Sequence, residues 1–242
     1  MSSDPIPFRR PPAPPPPPEE KGAEPMFNLP PATLWLAAVI GVSFFVDLLL
    51  PGTVGRIFFD SLAFNSLTFW PPGSDLPSLT GLLTLATYTL LHGDFMHLAL
   101  NLGFLLAFGS YVERSMGLLP YLFLFIVCAV AGALTEFAFR GGSELVLIGA
   151  SGSVYGVTAA AICFMRVDPR PDRRRTALAF VAVLMGLNLM LGLTGLGEFL
   201  AGAQVGWKAH LGGFLAGLLI ALAYCRWRPP SAPGGRAEGL RE

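Results

Sequence analysis

Long apolar runs separated by short polar segments make up most of the chain. Six of these runs approach the length of a membrane-crossing helix, because a bilayer core about 30 Å thick is spanned by about 20 helical residues. We therefore predict an all-α polytopic membrane protein with a bundle of six transmembrane helices. The predicted spans cover approximately residues 33–50, 81–109, 118–138, 145–165, 177–196 and 203–225.

Two of the six runs are interrupted. The polar segment 92–94 divides the second run, so we expect a loop or short helix over residues 80–92 and a helix that begins at the end of that segment. The sequence Gly-Ala-Ser-Gly at 149–152 divides the fourth run and leaves a helix over approximately 151–165. A helix that begins partway into the bilayer needs polar or protein surroundings for its unpaired N–H groups. This unusual helix start coincides with Ser151.

Both ends of the chain are polar and rich in proline. Residues 14–18 are five consecutive prolines, which cannot form helix or sheet hydrogen bonds, so we expect an extended, solvated tail that serves as a linker or docks on an aromatic groove. The first apolar run follows a long polar stretch, which is not the pattern of a signal peptide. We therefore expect a disordered cytoplasmic tail over 1–32, a membrane domain over 33–226 and a short polar cytoplasmic tail over 227–242.

The composition supports the membrane assignment. Hydrophobic residues make up 53% of the chain and charged residues only 13%, whereas about a quarter of the residues in soluble domains are charged. The formal net charge is zero, and we expect no nucleic-acid partner. Each of the three cysteines lies in an apolar run without a CxxC or CxxH neighbour, so we expect packing roles rather than disulfides or a zinc site.

The distribution of basic residues predicts the orientation of the chain. Cytoplasmic segments of membrane proteins carry an excess of lysine and arginine. If the N-terminal tail is cytoplasmic and the chain crosses six times, the cytoplasmic segments hold 13 of the 16 basic residues, and the outer segments hold only Arg56, Arg140 and Lys208. We therefore expect an integral, multi-pass membrane protein with both termini in the cytoplasm.

The predicted topology brings four distant polar residues to one level. The second, fourth and sixth spans all run from the outer side to the inner side. His97 and Asn101 then lie a few residues into the second span, Ser151 at the start of the fourth, and His210 several residues into the sixth. All four lie toward the outer side at similar depth. Ionisable side chains inside a membrane are rare and generally functional.

Glycine spacing allows the fourth and sixth spans to pack closely. Gly213 and Gly217 share a helix face with His210, and Gly152 and Gly156 share a face of the fourth span. Small residues let the backbones of membrane helices approach each other. If the two spans pack on these faces, the serine hydroxyl and the imidazole come within hydrogen-bond reach, which is the minimum for an activated nucleophile.

A serine at a helix N-terminus also lies where backbone N–H groups favour a developing oxyanion. His97 and Asn101 share a helix face and could add donors to that site. No acidic residue is placed to orient His210, so we predict a dyad. The structural alternative is that these side chains only cross-link helices by hydrogen bonds, as we expect for Asn188 in the fifth span.

Other chemistries fit the sequence poorly. There is no HExxH motif, and His92 and His97 are five residues apart, so they do not share a helix face as zinc ligands would. Three acidic residues lie close to predicted span ends, where we expect solvation at the membrane interface. They are Asp47, Glu136 and Glu198. No glycine-rich phosphate-binding loop is present.

Four segments, in order along the chain, resemble motifs of the rhomboid family of intramembrane serine proteases. Residues 97–101 resemble its HxxxN motif, and His92 also fits the family pattern. Residues 109–117 resemble the GxxxExxxG motif, 149–156 the nucleophile motif, and 209–217 the motif of the catalytic base. Each match is weak alone, but the four occur in the family's order and in the expected spans.

This resemblance implies a six-helix core that hydrolyses peptide bonds in or near transmembrane segments of other proteins, in the lipid bilayer and without cofactor or metal. It implies that Ser151 attacks and that His210 takes its proton. His97, Asn101 and the backbone N–H of the serine would hold the oxyanion, and Glu113 would be structural. It further implies that Tyr155 packs against the histidine ring. The other supporting positions are Gly149, Gly152, Gly213 and His92.

The sequence departs from the family pattern in the first outer loop, residues 51–80, and just after it. Leu83-Thr84 stand where many members have a Trp-Arg pair, and Tyr88 replaces a histidine of some members. We therefore expect the anchoring of this loop, and with it the lateral access of substrate, to differ. One alternative is a catalytically silent rhomboid-like protein that binds transmembrane clients. A small transporter would need an internal inverted repeat, which the sequence does not show.

Overall fold

The computed structural model describes residues 29–140, 143–166, 171–194 and 206–227, which are predominantly helical. The short strands β1 (Phe64–Asn65) and β2 (Val146–Leu147) form one antiparallel pair. The described helices are α1 (Pro31–Leu49), α2 (Gly52–Leu62), α3 (Ser66–Phe69), α4 (Leu79–Thr87) with a 3-10 turn (Tyr88–Leu90), α5 (Phe95–Met116), α6 (Leu118–Ala138), α7 (Ser151–Arg166), α8 (Pro171–Leu193) and α9 (Trp207–Trp227).

Four of the described helices, namely α1, α5, α6 and α9, are long and apolar enough to cross a membrane. Helix α7 and the apolar part of α8, Leu178–Leu193, are shorter. The helical membrane architecture is thus confirmed, whereas the count of six spans stays a prediction. Residues 1–28 and 228–242 lie outside the described residues, and so do nearly all of the two predicted tails.

The second apolar run is divided where the sequence predicted. Helix α5 follows the polar segment 92–94, and the Asp94 carboxylate caps it by accepting from the backbone N–H of His97 at 2.8 Å. The helix continues through a π-helical segment, Leu105–Gly109, and ends only at Met116. The next residue, Gly117, has a φ of 89°, a conformation that favours glycine. The helix therefore extends beyond the predicted boundary at residue 109.

A buried carboxylate explains this extension. Glu113, in the last turns of α5, accepts hydrogen bonds from the backbone N–H groups of Ala32 and Thr33 at 2.9 and 2.7 Å, and from the Thr33 hydroxyl at 2.8 Å. These N–H groups open helix α1 and have no partner within it. The polar end of α5 is therefore satisfied inside the protein, which a reading of hydrophobicity alone does not anticipate.

Helix α7 forms the centre of the bundle. Among residues 151–165, only Ser151, Tyr155 and Met165 are not buried. Glycine contacts hold α7 against α9 as predicted. A Cβ atom added to Gly213 would overlap the carbonyl of Gly152, and one added to Gly217 would overlap the backbone of Gly156 on α7. The backbones of α7 and α9 are therefore in contact at these two glycine pairs, Gly152–Gly213 and Gly156–Gly217, which we call the seam between α7 and α9.

Helix α6 supports the start of α9 from the other side. The Glu136 carboxylate accepts from the backbone N–H of Ala209 at 2.9 Å and lies 3.8 Å from the Lys208 ammonium. Glu136 is buried, so the expectation that it is solvated at the membrane interface was wrong. Its carboxylate satisfies a helix N-terminus that would otherwise carry unpaired donors into an apolar region. Glu198 lies outside the described residues.

Candidate active site

The segment before Ser151 is held from three directions. Strand β2 is paired with β1 of the first loop, and the Gly149 N–H donates to the carbonyl of Tyr88 at 3.0 Å. The Ala150 N–H faces Nε2 of His92 at 3.5 Å. Gly149 has a φ of 106°, a conformation that residues other than glycine rarely adopt. The turn at this residue directs the chain into α7. Ser151 is therefore presented at the first position of a fixed helix.

The first loop is anchored to this same segment. Beside the β1–β2 pair, the backbone of Ser66 donates to the carbonyl of Leu145 at 2.9 Å, and the Leu145 N–H donates back to the Ser66 hydroxyl at 3.0 Å. The Asn65 side chain donates to the Glu144 carboxylate at 3.2 Å. Leu83, at one position of the absent Trp-Arg pair, is 64% exposed. The loop thus has polar anchors of its own, formed by backbone and side-chain atoms of Ser66 and by the Asn65 side chain.

His97 covers the turn that precedes the serine. A Cβ atom added to Gly149 would lie 2.7 Å from Cε1 and Nε2 of the His97 ring, so only glycine leaves room for the imidazole. The ring of His92 lies beside it, with centroids 4.9 Å apart and planes at 62°. The two histidines and the turn therefore form one cluster at the start of α7.

Asn101 lies one turn further along α5 and is buried. Its Nδ2 donates to the carbonyl of His97 at 2.9 Å, within the same helix. Of the two residues predicted as oxyanion donors, the structure thus shows His97 against the turn before Ser151 and the Asn101 amide bonded to its own helix. Their role toward an oxyanion stays a prediction.

Ser151 and His210 are in direct contact. The serine Oγ lies 2.8 Å from His210 Nε2, although 59 residues separate the two in sequence. The Tyr155 ring stacks on the imidazole with a centroid distance of 4.4 Å and an interplanar angle of 7°. Ser151 and Tyr155 are one helical turn apart and are both half-buried, whereas the residues between them and those that follow up to Phe164 are buried.

The other ring nitrogen of His210 has a partner that the sequence reasoning missed. Its Nδ1 lies 2.5 Å from Oδ1 of Asn188, and Nδ2 of Asn188 donates to the carbonyl of Trp207 at 3.2 Å. The sequence indicated that Asn188 bonds a neighbouring helix, which is confirmed, but not that it contacts the histidine. The available signal was a single amide in the apolar part of α8, since such a group requires a polar partner.

The fold and the site define a helical membrane protein in which a serine hydroxyl at a helix N-terminus meets an imidazole from another helix. Residues 79–227, more than half of the chain, match the Rhomboid domain model, and the protein belongs to the rhomboid family. Membership in this family, several of whose members are named proteases, supports an intramembrane protease at the family level.

Known proteins of three organisms are similar to this chain. It is 29% identical over 131 residues to RHOMBOID-like protein 5 of Arabidopsis thaliana, which covers 54% of this chain and 40% of that protein. It is 32% identical over 139 residues to Rhomboid-like protease 1 of Toxoplasma gondii, and the match covers 55% of this chain and 44% of that protein. It is 28% identical over 136 residues to Rhomboid protease GlpG of Haemophilus influenzae, and the match covers 55% of this chain and 65% of that protein. The chain thus spans less than two thirds of the length of these relatives.

Proposed function

We propose that this protein is an intramembrane serine endopeptidase that hydrolyses peptide bonds in or near transmembrane segments of membrane proteins. The observation that carries the proposal is the 2.8 Å contact between Ser151 Oγ and His210 Nε2. A hydroxyl is a poor nucleophile at neutral pH unless a base accepts its proton, and an imidazole at hydrogen-bond distance meets this need.

The reaction proceeds in two stages. Ser151 Oγ attacks the carbonyl carbon of the substrate while His210 Nε2 accepts the hydroxyl proton, and a tetrahedral intermediate forms. Its collapse breaks the C–N bond, and the leaving amine takes the proton from the imidazolium. A water molecule then attacks the acyl-enzyme with the same imidazole as base, which releases the acid and restores the serine. Membrane proteins with transmembrane segments are the substrates, and the lipid bilayer is the medium.

The negative charge of the intermediate requires donors close to the serine. The N–H groups in the first turn of α7 have no partner within the helix and lie at the positive end of its dipole. His97, packed on the turn at Gly149, and Asn101, one turn further along α5, are the side-chain donors that we assign to this role. The Asn101 amide would then exchange its bond to its own helix for one to the oxyanion.

The site faces the outer side of the membrane in this proposal, and both termini are cytoplasmic. The excess of basic residues in the segments assigned to the inner side supports this orientation. The sixth predicted span begins at about residue 203, and His210 lies several residues into it, which supports a site below the membrane surface. At that depth a freed substrate backbone needs water or polar groups to replace its helical hydrogen bonds.

Substitution of Asn101 by alanine is expected to lower kcat by roughly 10-fold to 10³-fold, because one oxyanion donor contributes about 3 kcal/mol to transition-state stabilisation. His97→Ala should act similarly. The measurement is kcat, KM and the melting temperature of each purified variant. Thr158→Val is the matched control, because it also removes a buried side-chain bond to the carbonyl four residues earlier, here that of Val154, without approaching the serine. Wild-type kcat combined with a lowered melting temperature in both variants would contradict the assignment and would show that His97 and Asn101 only cross-link helices.

Cleavage is expected to depend on how easily the substrate helix unwinds near the outer end of its span. Replacing a glycine or proline there by leucine restores helix stability of about 1–3 kcal/mol per residue. Turnover should then fall by about 5-fold to 10²-fold, since 1.36 kcal/mol of barrier corresponds to a factor of ten. The same replacements at the inner end should change little.

The test uses the full chain in liposomes with a single-span substrate protein, and mass spectrometry locates the cut sites. Products whose new termini fall in the outer third of the span are the expected result. Cut sites at the inner end, or rates indifferent to these replacements, would contradict this account of specificity. Stable retention of intact substrate without any cleavage would favour the silent client-binding alternative.

A further inference from the structure

A histidine that acts as general base must present a lone pair to the serine. In the neutral ring only one nitrogen carries the proton, and the partner of the other nitrogen determines which one. His210 Nε2 faces Ser151 Oγ, so a productive site needs the proton on Nδ1. The hydrogen-bond partner of Nδ1 therefore determines whether His210 can act as a base.

Asn188 is the hydrogen-bond partner of His210 Nδ1. The carbonyl oxygen of Trp207 can only accept a hydrogen bond, so the amide atom that faces it at 3.2 Å must be the donor Nδ2. The amide oxygen Oδ1 then faces His210 Nδ1 at 2.5 Å, and an oxygen in this position can only accept. The backbone of α9 thereby fixes the orientation of the amide, and the amide requires a proton on Nδ1.

We propose that Asn188 is a positioning residue that holds His210 in the tautomer with the proton on Nδ1 and the Nε2 lone pair toward Ser151. This inference rests on the proposed proteolytic function and extends its dyad by a third, uncharged member. A carbonyl-type acceptor at Nδ1 also stabilises the imidazolium that forms when the serine proton is transferred.

Burial and packing make Asn188 specific for this role. Its side chain is only 3% exposed, whereas its neighbours Leu187, Leu189 and Met190 on α8 present apolar surface. An amide in such an apolar helix is unfavourable unless its polar atoms are bonded, and both halves of Asn188 are bonded to α9. The stacked Tyr155 ring restrains the imidazole plane, while Asn188 and the serine fix its rotation within that plane.

Two substitutions separate the acceptor role from simple helix cross-linking. Asn188→Leu has a similar size but offers no acceptor, so we expect kcat to fall by about 10²-fold with KM changed less than about threefold, a loss at the low end of what general-base catalysis contributes. Asn188→Asp keeps an acceptor at the same place, and we expect it to recover kcat to within about tenfold of the wild type. Its carboxylate stabilises the imidazolium, so the acid limb of the pH profile of kcat/KM should move to higher pH.

The control is Tyr224→Phe, which removes a bond of the same kind between the α9 side chain and the carbonyl of Met116, at the other end of the helix. We expect its kcat within about twofold of the wild type and its pH profile unchanged. All variants are assayed as full chains in liposomes with the single-span substrate, and their melting temperatures are measured in parallel.

Wild-type kcat in Asn188→Leu would overturn the inference, and so would equal losses in Asn188→Leu and Asn188→Asp with no movement of the acid limb. If the leucine variant does not fold, the aspartate variant decides alone, because an unmoved acid limb contradicts the proposal. Cleavage that survives Ser151→Ala would instead overturn the proposed function itself, so the two failures are distinguishable.

Discussion

Replacing Ser151 by alanine is expected to abolish cleavage of a single-span substrate, with a loss in kcat of about 10⁴-fold or more, while the protein stays folded. His210→Ala should cause a loss of the same order, because nucleophile and base act as one unit. For the same reason, the double variant should be little worse than either single variant. The measurement is the initial cleavage rate in liposomes, with the melting temperature as the folding criterion.

Ser153→Ala is the matched control for this experiment. Ser153 lies two residues from the nucleophile on the same helix and is fully buried, but its hydroxyl donates to the carbonyl of Phe125 at 2.9 Å rather than to His210. We expect the loss of this bond to lower stability by about 1 kcal/mol and to leave kcat within about tenfold. Activity within tenfold of the wild type in Ser151→Ala or His210→Ala would contradict the mechanism.

The second large effect is expected at the seam between α7 and α9. In Gly213→Ala the new Cβ would overlap the carbonyl of Gly152, the residue directly after the nucleophile, so one of the two helices must shift. Overpacking of this kind costs about 1–3 kcal/mol of folding free energy. A displacement of about 1 Å at reacting groups can lower the rate by about 10²-fold. We therefore expect kcat and the melting temperature to fall together.

Gly103→Ala provides the comparison, because a Cβ at this position of α5 has nothing within 4 Å. Alanine is a better helix former than glycine, so this variant should be as stable as the wild type or slightly more so. Equal behaviour of Gly213→Ala and Gly103→Ala would show that the close approach of the two backbones does not hold the serine and the histidine together.

Much of the site could be predicted because its parts follow from topology and local spacing. The basic residues predict a direction for each span, and the predicted directions put Ser151 and His210 at one level. The glycine spacing then predicts which helix faces meet, and the 2.8 Å contact lies at that seam. The resemblance to rhomboid motifs added the stacking of Tyr155 on the histidine, which the structure also contains.

The unpredicted features are long-range polar contacts. Asn188 reaches His210 because α8 lies beside α9, and no local pattern in α8 encodes that neighbour. Glu136 was expected to be solvated and Glu113 was expected only to be structural, but the partners of the two carboxylates were not predicted: each accepts from the first N–H groups of another helix. The hydrophobicity of a segment predicts whether it crosses the membrane, but it does not predict which N–H group donates to a buried carboxylate.

The two-residue strands escaped prediction for a related reason. A strand as short as β1 has no measurable alternation of polar and apolar residues, and its pairing with β2 is set by the tertiary contact of the first loop with the segment before Ser151. This contact also shows how the loop is anchored although the Trp-Arg pair of many family members is absent. The backbone N–H and the hydroxyl of Ser66, bonded to the backbone of Leu145, provide the anchor instead.

The central claim is that Ser151 is a nucleophile activated by His210, and its most direct test is covalent labelling with a fluorophosphonate probe of the protein in liposomes. We predict a single phosphonylated serine, located by mass spectrometry at Ser151, with labelling lost in Ser151→Ala and reduced by at least about 10²-fold in His210→Ala. Substrate cleavage should fall in proportion to the labelled fraction. Absence of an adduct at Ser151, or full cleavage by protein that is fully labelled there, would contradict the account.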